Sequence, residues 1–199
     1  MSDAVIVDSG GANLASLKFA LERLGAAARV TSRAEEIRTA PRVLLPGVGS
    51  APDAMQRLRA AGLTDLLPAL TQPVLGICLG MQLLYARSAE GDIPCLGIVQ
   101  GEVCRLTPAR GRPVPHMGWN GIEPLRSDAL TEGMEPTDYV YFVHSFAAPV
   151  SAATVAAVDY GGALSAVVRE RNFWGVQFHP ERSGRAGARI LQNFLRLAA

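Results

Sequence analysis

Val74-Leu75-Gly76-Ile77-Cys78-Leu79-Gly80-Met81-Gln82 places one cysteine between two glycines, where an apolar strand should turn into a helix. The form Gly-x-Cys-x-Gly is that of a nucleophile elbow, a sharp turn that holds its central side chain at the carboxyl end of a buried strand. Gly76 and Gly80 stand where a Cβ would crowd the backbone once Cys78 is forced into a strained conformation. The first N–H groups of the following helix would favour a thiolate at Cys78, and the Leu79 N–H is placed to donate to an oxyanion. A cysteine in an apolar run is also, commonly, a small buried hydrophobe. The stretch alone leaves both readings open.

Upstream, the chain alternates. Ala4–Val7 is a short apolar run ending in Asp8 and a Ser9-Gly10-Gly11-Ala12-Asn13 loop; Leu14, Leu17, Leu21 and Leu24 recur at helical spacing with Gly25 at the stop. A strand at 27–30, a short helix at 34–38 with Thr31 and Ser32 as caps, and a third strand at Val43–Leu45 follow. This β, α, β, α, β order predicts an α/β protein, a mostly parallel central sheet flanked by helices. Pro46-Gly47-Val48-Gly49 comes directly after the third strand, at the end of the sheet where ligand sites gather, and its two glycines suit a loop with outward N–H groups opposite Cys78. Ala54, Leu58 and Ala61 mark the next helix, closed by Gly62, and Leu63–Leu70 reads as a further apolar helical stretch. Beyond the elbow, short segments separated by Gly and Pro predict a β-rich second half, with Gly161-Gly162 as a hairpin turn and a last helix over 188–197.

At 199 residues, 49% hydrophobic and 19% charged, the chain has material for one sizeable core, and residues 1–199 read as a single domain. A net charge of +1 offers no basic field for nucleic acid and no polybasic run for anionic lipid. The Val74–Ala86 apolar run is shorter than the roughly 20 residues a membrane span needs, and the N-terminus lacks the pattern of a signal peptide, so a cytoplasmic protein is expected. Cys78, Cys95 and Cys104 make an odd number without a CxxC pair, which predicts neither a disulfide framework nor a zinc site, and no metal or cofactor is expected.

A nucleophilic cysteine needs a base, and the chain has three histidines. His179 ranks first: Pro180 holds it extended, and Glu181, two residues on along an extended segment, points to the same side and can orient the imidazole. His144 shares a strand face with Val140, Phe142 and Phe146 and reads as a core histidine. His116 falls in a loop between Pro115 and Met117, with nothing local to orient it.

GICLGMQ around Cys78 and QFHPE around His179, about 100 residues apart, resemble the paired signatures of class I glutamine amidotransferases. With PGVG at 46–49, PHMGWN at 115–120, YFVHSF at 141–146 and HPERSG at 179–184, essentially the whole chain resembles one branch of that family, the glutaminase subunits of imidazole glycerol phosphate synthases. The resemblance implies the three-layer class I amidotransferase fold and hydrolysis of the L-glutamine side-chain amide. In it Cys78 is the nucleophile, His179 the acid and base, and Glu181 the orienter. It carries glutamine contacts onto Gly47, Gln82, Glu90, His144 and Ser145, and oxyanion donors onto the backbone N–H groups of Val48 and Leu79. A carboxylate at Glu90 suits an α-ammonium group, and Gln82, one helical turn past Cys78, can face the same site; either equally suits a solvated surface. It also implies a partner, a (βα)8-barrel cyclase that receives the ammonia in histidine biosynthesis, with Asn13, Trp119, Tyr141 and Arg182 at the interface. The chain holds no P-loop or dinucleotide fingerprint for the acceptor chemistry, which fits that division of labour. One departure stands out: where the family usually has Asp-Tyr-Gly-x-Gly-Asn, this chain has Asp8-Ser9-Gly10-Gly11-Ala12-Asn13. Two rival readings are a stand-alone cysteine hydrolase on a related elbow and a catalytically inert scaffold. Glu90, Gln82 and PHMGWN weigh against the first, and intact Cys78, His179 and Glu181 against the second.

Overall fold

All four residues of Ala4–Val7 (β1) are buried, and they alternate between two cores: Ala4 and Ile6 pack on one side, Val5 and Val7 on the other. A strand covered on both faces reads as a continuous apolar run, which is why the sequence shows no polar alternation there. The structure is a computed structural model that describes residues 3–8 and 14–198. After β1 come α1 (Leu14–Arg23), β2 (Ala28–Thr31), α2 (Ala34–Arg38), β3 (Val43–Gly47), α3 (Ala51–Ala60), β4 (Val74–Cys78) and α4 (Leu79–Leu83). β3 and β4 split their side chains the same way, Val43, Leu45 and Val74 to one core and Leu44, Leu75 and Ile77 to the other.

The second half is built of β5 (Tyr85–Ser88), β6 (Ile93–Pro94), β7 (Val99–Arg105), β8 (His116–Gly121), β9 (Glu123–Pro124), β10 (Tyr139–His144), β11 (Phe146–Ala147), β12 (Thr154–Asp159), β13 (Ala163–Glu170) and β14 (Phe173–Val176), closed by α5 (Gly184–Arg196). The main sheet has the order β2-β1-β3-β4-β14-β13-β12-β9, its first five strands parallel and its last three antiparallel. α1, α5 and the β8–β10 ribbon cover one face; α2, α3 and a four-stranded sheet of β11, β7, β5 and β6 cover the other. This is the three-layer α/β arrangement with a β-rich later half that the sequence predicts. No helix among the described residues is long and apolar enough to cross a membrane.

The decisive feature is the centre of the sheet, where β4 lies between β3 and β14 and runs parallel to both. In register, Gly47 of β3 is level with Cys78, and Val176 of β14 is level with Ile77. Whatever follows β3 and β14 in sequence is therefore delivered to the same end of the sheet as Cys78.

Several local expectations are corrected. Leu63–Leu70 is a set of turns with a 3₁₀ segment at Leu67–Ala69; its leucines are buried at helical spacing, but Pro68 has no N–H to continue an α-helix. Helix α2 is preceded by Arg33, which makes no side-chain cap, and Thr31 Oγ1 instead accepts from the Arg33 N–H at 3.1 Å. The elbow helix is a single turn, after which the chain enters β5. His116 lies on strand β8 and is buried, so the loop expected there is not found.

Candidate active site

Cys78 is the last residue of β4 and sits at φ 53°, ψ −112°, a conformation an L-residue adopts only when its surroundings impose it. The imposition comes from the packing of glycines. A Cβ on Gly80 would lie 1.7 Å from the Leu45 carbonyl oxygen of β3, and one on Gly76 would lie 2.7 Å from the Gly80 carbonyl oxygen. Both glycines are thus demanded by backbone approach, as the elbow reading requires. The turn seats α4 directly on the sheet and leaves the Cys78 side chain, nearly buried, at the sheet's carboxyl end.

His179 comes three residues after β14. Its backbone N–H donates to the Tyr141 carbonyl at 2.9 Å, and Ser183 Oγ bridges the His179 carbonyl at 2.6 Å and the Tyr141 N–H at 2.9 Å, so strand β10 anchors it at two points. His179 Nδ1 lies 2.8 Å from Glu181 Oε1. The pairing expected from sequence is there, for a different local reason: His179 itself is extended, but Pro180–Arg182 forms a 3₁₀ turn that swings Glu181 back against the ring. Burial by itself would lower the His179 pKa; hydrogen bonds to Cys78 and Glu181, and the charges on both, outweigh it and push it up to about 10. At neutral pH the ring is an imidazolium held between the two.

Two cavities meet at Cys78. One, about 280 Å³, runs past Gln82, Glu90, His144 and Ser145; the other, about 330 Å³, opens past Gly47, Val48, His179 and Arg182. Gly49, Leu79 and Val143 line both. The structure therefore brings together the elbow, the His–Glu pair, Val48 and Leu79, and the residues Gly47, Gln82, Glu90, His144 and Ser145. A larger open cleft, about 820 Å³, follows residues 124–132 and Arg169, and none of the sequence-predicted site residues lines it. Among the described residues, no cluster of three or more His, Cys, Asp or Glu could hold a metal ion.

The individual groups are not equally available to a ligand. Glu90 Oε2 accepts from the Ala51 N–H at 2.7 Å, at the amino end of α3, which pins the carboxylate at the cavity wall and leaves Oε1 for a cation. Gln82 Nε2 donates to the Phe146 carbonyl at 2.8 Å and to Gln177 Oε1 at 3.0 Å. Both its hydrogens are committed, so Gln82 has only its carbonyl oxygen to offer. The His144 ring faces inward, Nδ1 to the Phe146 carbonyl at 2.9 Å and Nε2 to His116 Nδ1 at 3.1 Å. His116 is stacked between Phe142 and Tyr160, at 4.7 and 3.8 Å between ring centres. Burial pushes each imidazole down to about 4. Two histidines kept neutral in this way leave His179 as the titrating ring beside Cys78.

The sequence reading passed over Gln177, whose Nε2 lies 3.8 Å from Cys78 Sγ, and Ser183, which ties His179 to β10. Gln177 stands in the QFHPE run two positions before His179, and that parity was the available signal.

On the outer face of the β8–β10 ribbon, Trp119 pairs in register with Tyr141, and the Arg182 guanidinium lies 4.4 Å above the Tyr141 ring. Trp119 is 55%, Met117 62% and Tyr139 57% exposed, a contiguous apolar and aromatic surface beside the cavity mouth. Asn13 lies outside the described residues.

The glutamine amidotransferase class-I family model matches residues 5–198, and the chain belongs to that family. Among its relatives, imidazole glycerol phosphate synthase subunit HisH of Xanthomonas campestris pv. campestris (strain 8004) is 55% identical over 198 residues, covering 100% of this chain and 99% of that protein. The subunit of the same name from Xylella fastidiosa (strain Temecula1 / ATCC 700964) is 52% identical over 199 residues, covering both chains in full (100% of each). Of solved structures, one glutamine amidotransferase superposes with a TM-score of 0.75 at 22% identity, covering 96% of either chain. Another, from Thermotoga maritima, gives 0.63 at 17%, covering 92% of this chain and 77% of that one. These two bear on the fold alone.

Proposed function

We propose that this chain is the glutaminase subunit of an imidazole glycerol phosphate synthase, acting in histidine biosynthesis. It releases ammonia from L-glutamine and passes it to a separate cyclase subunit. The observation that carries the reading is the meeting of a strained cysteine elbow with a His–Glu pair at the carboxyl ends of adjacent parallel strands, within a chain that matches HisH subunits end to end.

In this reading glutamine enters the cavity past Glu90 and Gln82. Its α-ammonium group is neutralised by the Glu90 carboxylate and accepted by the Gln82 carbonyl oxygen, and Gly47, His144 and Ser145 shape the remaining wall. Cys78 Sγ attacks the side-chain amide carbon. The oxygen gains negative charge and is met by the backbone N–H groups of Leu79 and Val48. The His179 imidazolium gives its proton to the departing nitrogen, and ammonia leaves a neutral thioester on Cys78. His179, now neutral, takes a proton from water as the water attacks; the carbon–sulphur bond breaks, glutamate leaves, and thiolate and imidazolium are restored. Glu181 holds the ring's tautomer and offsets its charge throughout. The chemistry is complete with thiol, imidazole and carboxylate and calls for no cofactor.

Residues 1–199 form one such domain, and the acceptor half resides on the partner, a (βα)8-barrel cyclase that makes imidazole glycerol phosphate and aminoimidazole carboxamide ribotide. Free ammonia would be protonated and lost in bulk water, so a docked heterodimer in the cytoplasm is the working form. Trp119, Tyr141 and Arg182, with Asn13, supply the docking surface; the exposed aromatic pair has the character of an interface anchor.

Cys78→Ala is expected to abolish glutamine-dependent product formation by the complex while leaving the reaction driven by added ammonium intact. Loss of both reactions would make Cys78 a structural residue and overturn the reading.

A further inference from the structure

Two glutamines lie behind the nucleophile, and one backbone carbonyl decides which way both amides face. The Phe146 oxygen can only accept, and its two lone pairs take His144 Nδ1 at 2.9 Å and Gln82 Nε2 at 2.8 Å. Gln82 therefore presents its NH₂ group there, and the second hydrogen of that group points to Gln177, 3.0 Å away. The atom of Gln177 that receives it has to be the amide oxygen. The NH₂ group of Gln177 is then turned the opposite way, and its Nε2 lies 3.8 Å from Cys78 Sγ, within reach of sulphur as an acceptor. Gln177 is fully buried, just past the end of β14, with its own backbone N–H bonded to the Ala166 carbonyl at 2.9 Å. Its side chain is enclosed by protein on all sides.

We infer that Gln177 is a further catalytic residue of this site: its side-chain N–H stabilises the Cys78 thiolate, and the Phe146 carbonyl, acting through Gln82, keeps that N–H aimed at the sulphur. The inference rests on Cys78 being the nucleophile. Cys78 is nearly buried, so few water molecules can solvate a charged sulphur, and each fixed donor counts. The two donors differ in kind. His179 loses its proton to the leaving nitrogen, whereas the Gln177 amide keeps its hydrogens through the whole cycle. When the thioester breaks and sulphur departs with the electron pair, Gln177 is still in place to receive the returning charge.

The test is alkylation of Cys78 by iodoacetamide in the intact protein across a pH series, read by mass spectrometry of the peptide that contains it. Cys104, which is exposed, serves as the internal reference. The ionisable groups that share the two cavities with Cys78 are His179, with Glu181 behind it, His144, Glu90 and Arg182, and all are unchanged in the variants. Gln177→Leu, close in volume and without an N–H, is expected to slow Cys78 alkylation at neutral pH about threefold or more, with Cys104 unaffected. Gln177→Glu keeps the acceptor for Gln82 but turns an oxygen toward the sulphur, and is expected to slow alkylation further. Gln177→Met serves as the second uncharged variant if Leu prevents folding, judged by circular dichroism. A folded Leu or Met variant whose Cys78 profile coincides with that of the wild type overturns the assignment. A wild-type Cys78 no more reactive than Cys104 overturns the nucleophile reading, and the role of Gln177 with it.

Discussion

At the scale of single residues, the site depends on atoms that are absent as much as on those present. Gly80 and Gly25 illustrate two distinct demands on glycine. Gly25 has φ +80° with nothing within 4 Å of an added Cβ, so Gly25→Ala is expected to cost only about 1 kcal/mol, from backbone strain. Gly80 lets α4 rest on the backbone of β3, and its Cβ would fall 1.7 Å from the Leu45 carbonyl, an atom locked in the middle of the sheet. Gly80→Ala is expected to cost at least about 3 kcal/mol and to displace the elbow. Urea unfolding of the two variants checks this; equal losses would refute it. The elbow was legible from sequence because its two glycines stand at fixed spacing on either side of Cys78, although the atom that demands Gly80 belongs to β3. The aim of the Gln177 amide was not, since it depends on a carbonyl 31 positions away.

Among the elements, the β8–β10 ribbon shows how pairing assigns roles that sequence position leaves open. In register, His116 is level with His144, and Trp119 with Tyr141, so the inner face carries the histidine pair and the outer face the exposed aromatics. His116 is unoriented in the sequence because its partners are distant in the chain, Phe142 and His144 on β10 and Tyr160 just past β12. The pair makes a prediction about acid. Each imidazole has a folded pKa of about 4, below the unfolded value of 6.5, so the unfolded chain takes up protons first as pH falls. Stability is expected to be full above pH 6.5 and to decline by about 1.4 kcal/mol per pH unit for each ring as pH drops from there toward 4. His179, raised to about 10, has the opposite sign: its contribution is already complete below pH 6.5 and lapses only as pH rises through 10, so it does not offset the decline. Urea unfolding at pH 7 and pH 5 measures the slope, and His116→Phe, which keeps the stack but cannot titrate, is expected to flatten it. A stability independent of pH across that interval would refute the assignment.

For the molecule as a whole, the outer face of the ribbon is where the proposed partner would sit. Truncating a large aromatic at the centre of an interface typically costs 2 kcal/mol or more, so Trp119→Ala is expected to weaken binding of the cyclase subunit about 30-fold or more. Titration calorimetry with the isolated cyclase reads the change, and an unaltered affinity would place the interface elsewhere. In the isolated chain Trp119 is largely exposed, so the same change is expected to leave the fold intact. By itself, the sequence determined the α/β class, the elbow and the pairing of His179 with Glu181, because period, motif spacing and short separations are read between near neighbours. It also carried, through motifs along nearly the whole chain, membership of the amidotransferase family. Only the tertiary structure decided that β14 inserts beside β4, bringing His179 to Cys78 across about 100 residues, that His116 locks His144 inward, and that Gln177 turns an N–H toward the sulphur. Those outcomes follow from parallel strand order and from hydrogen-bond partners distant in sequence, which no local pattern encodes.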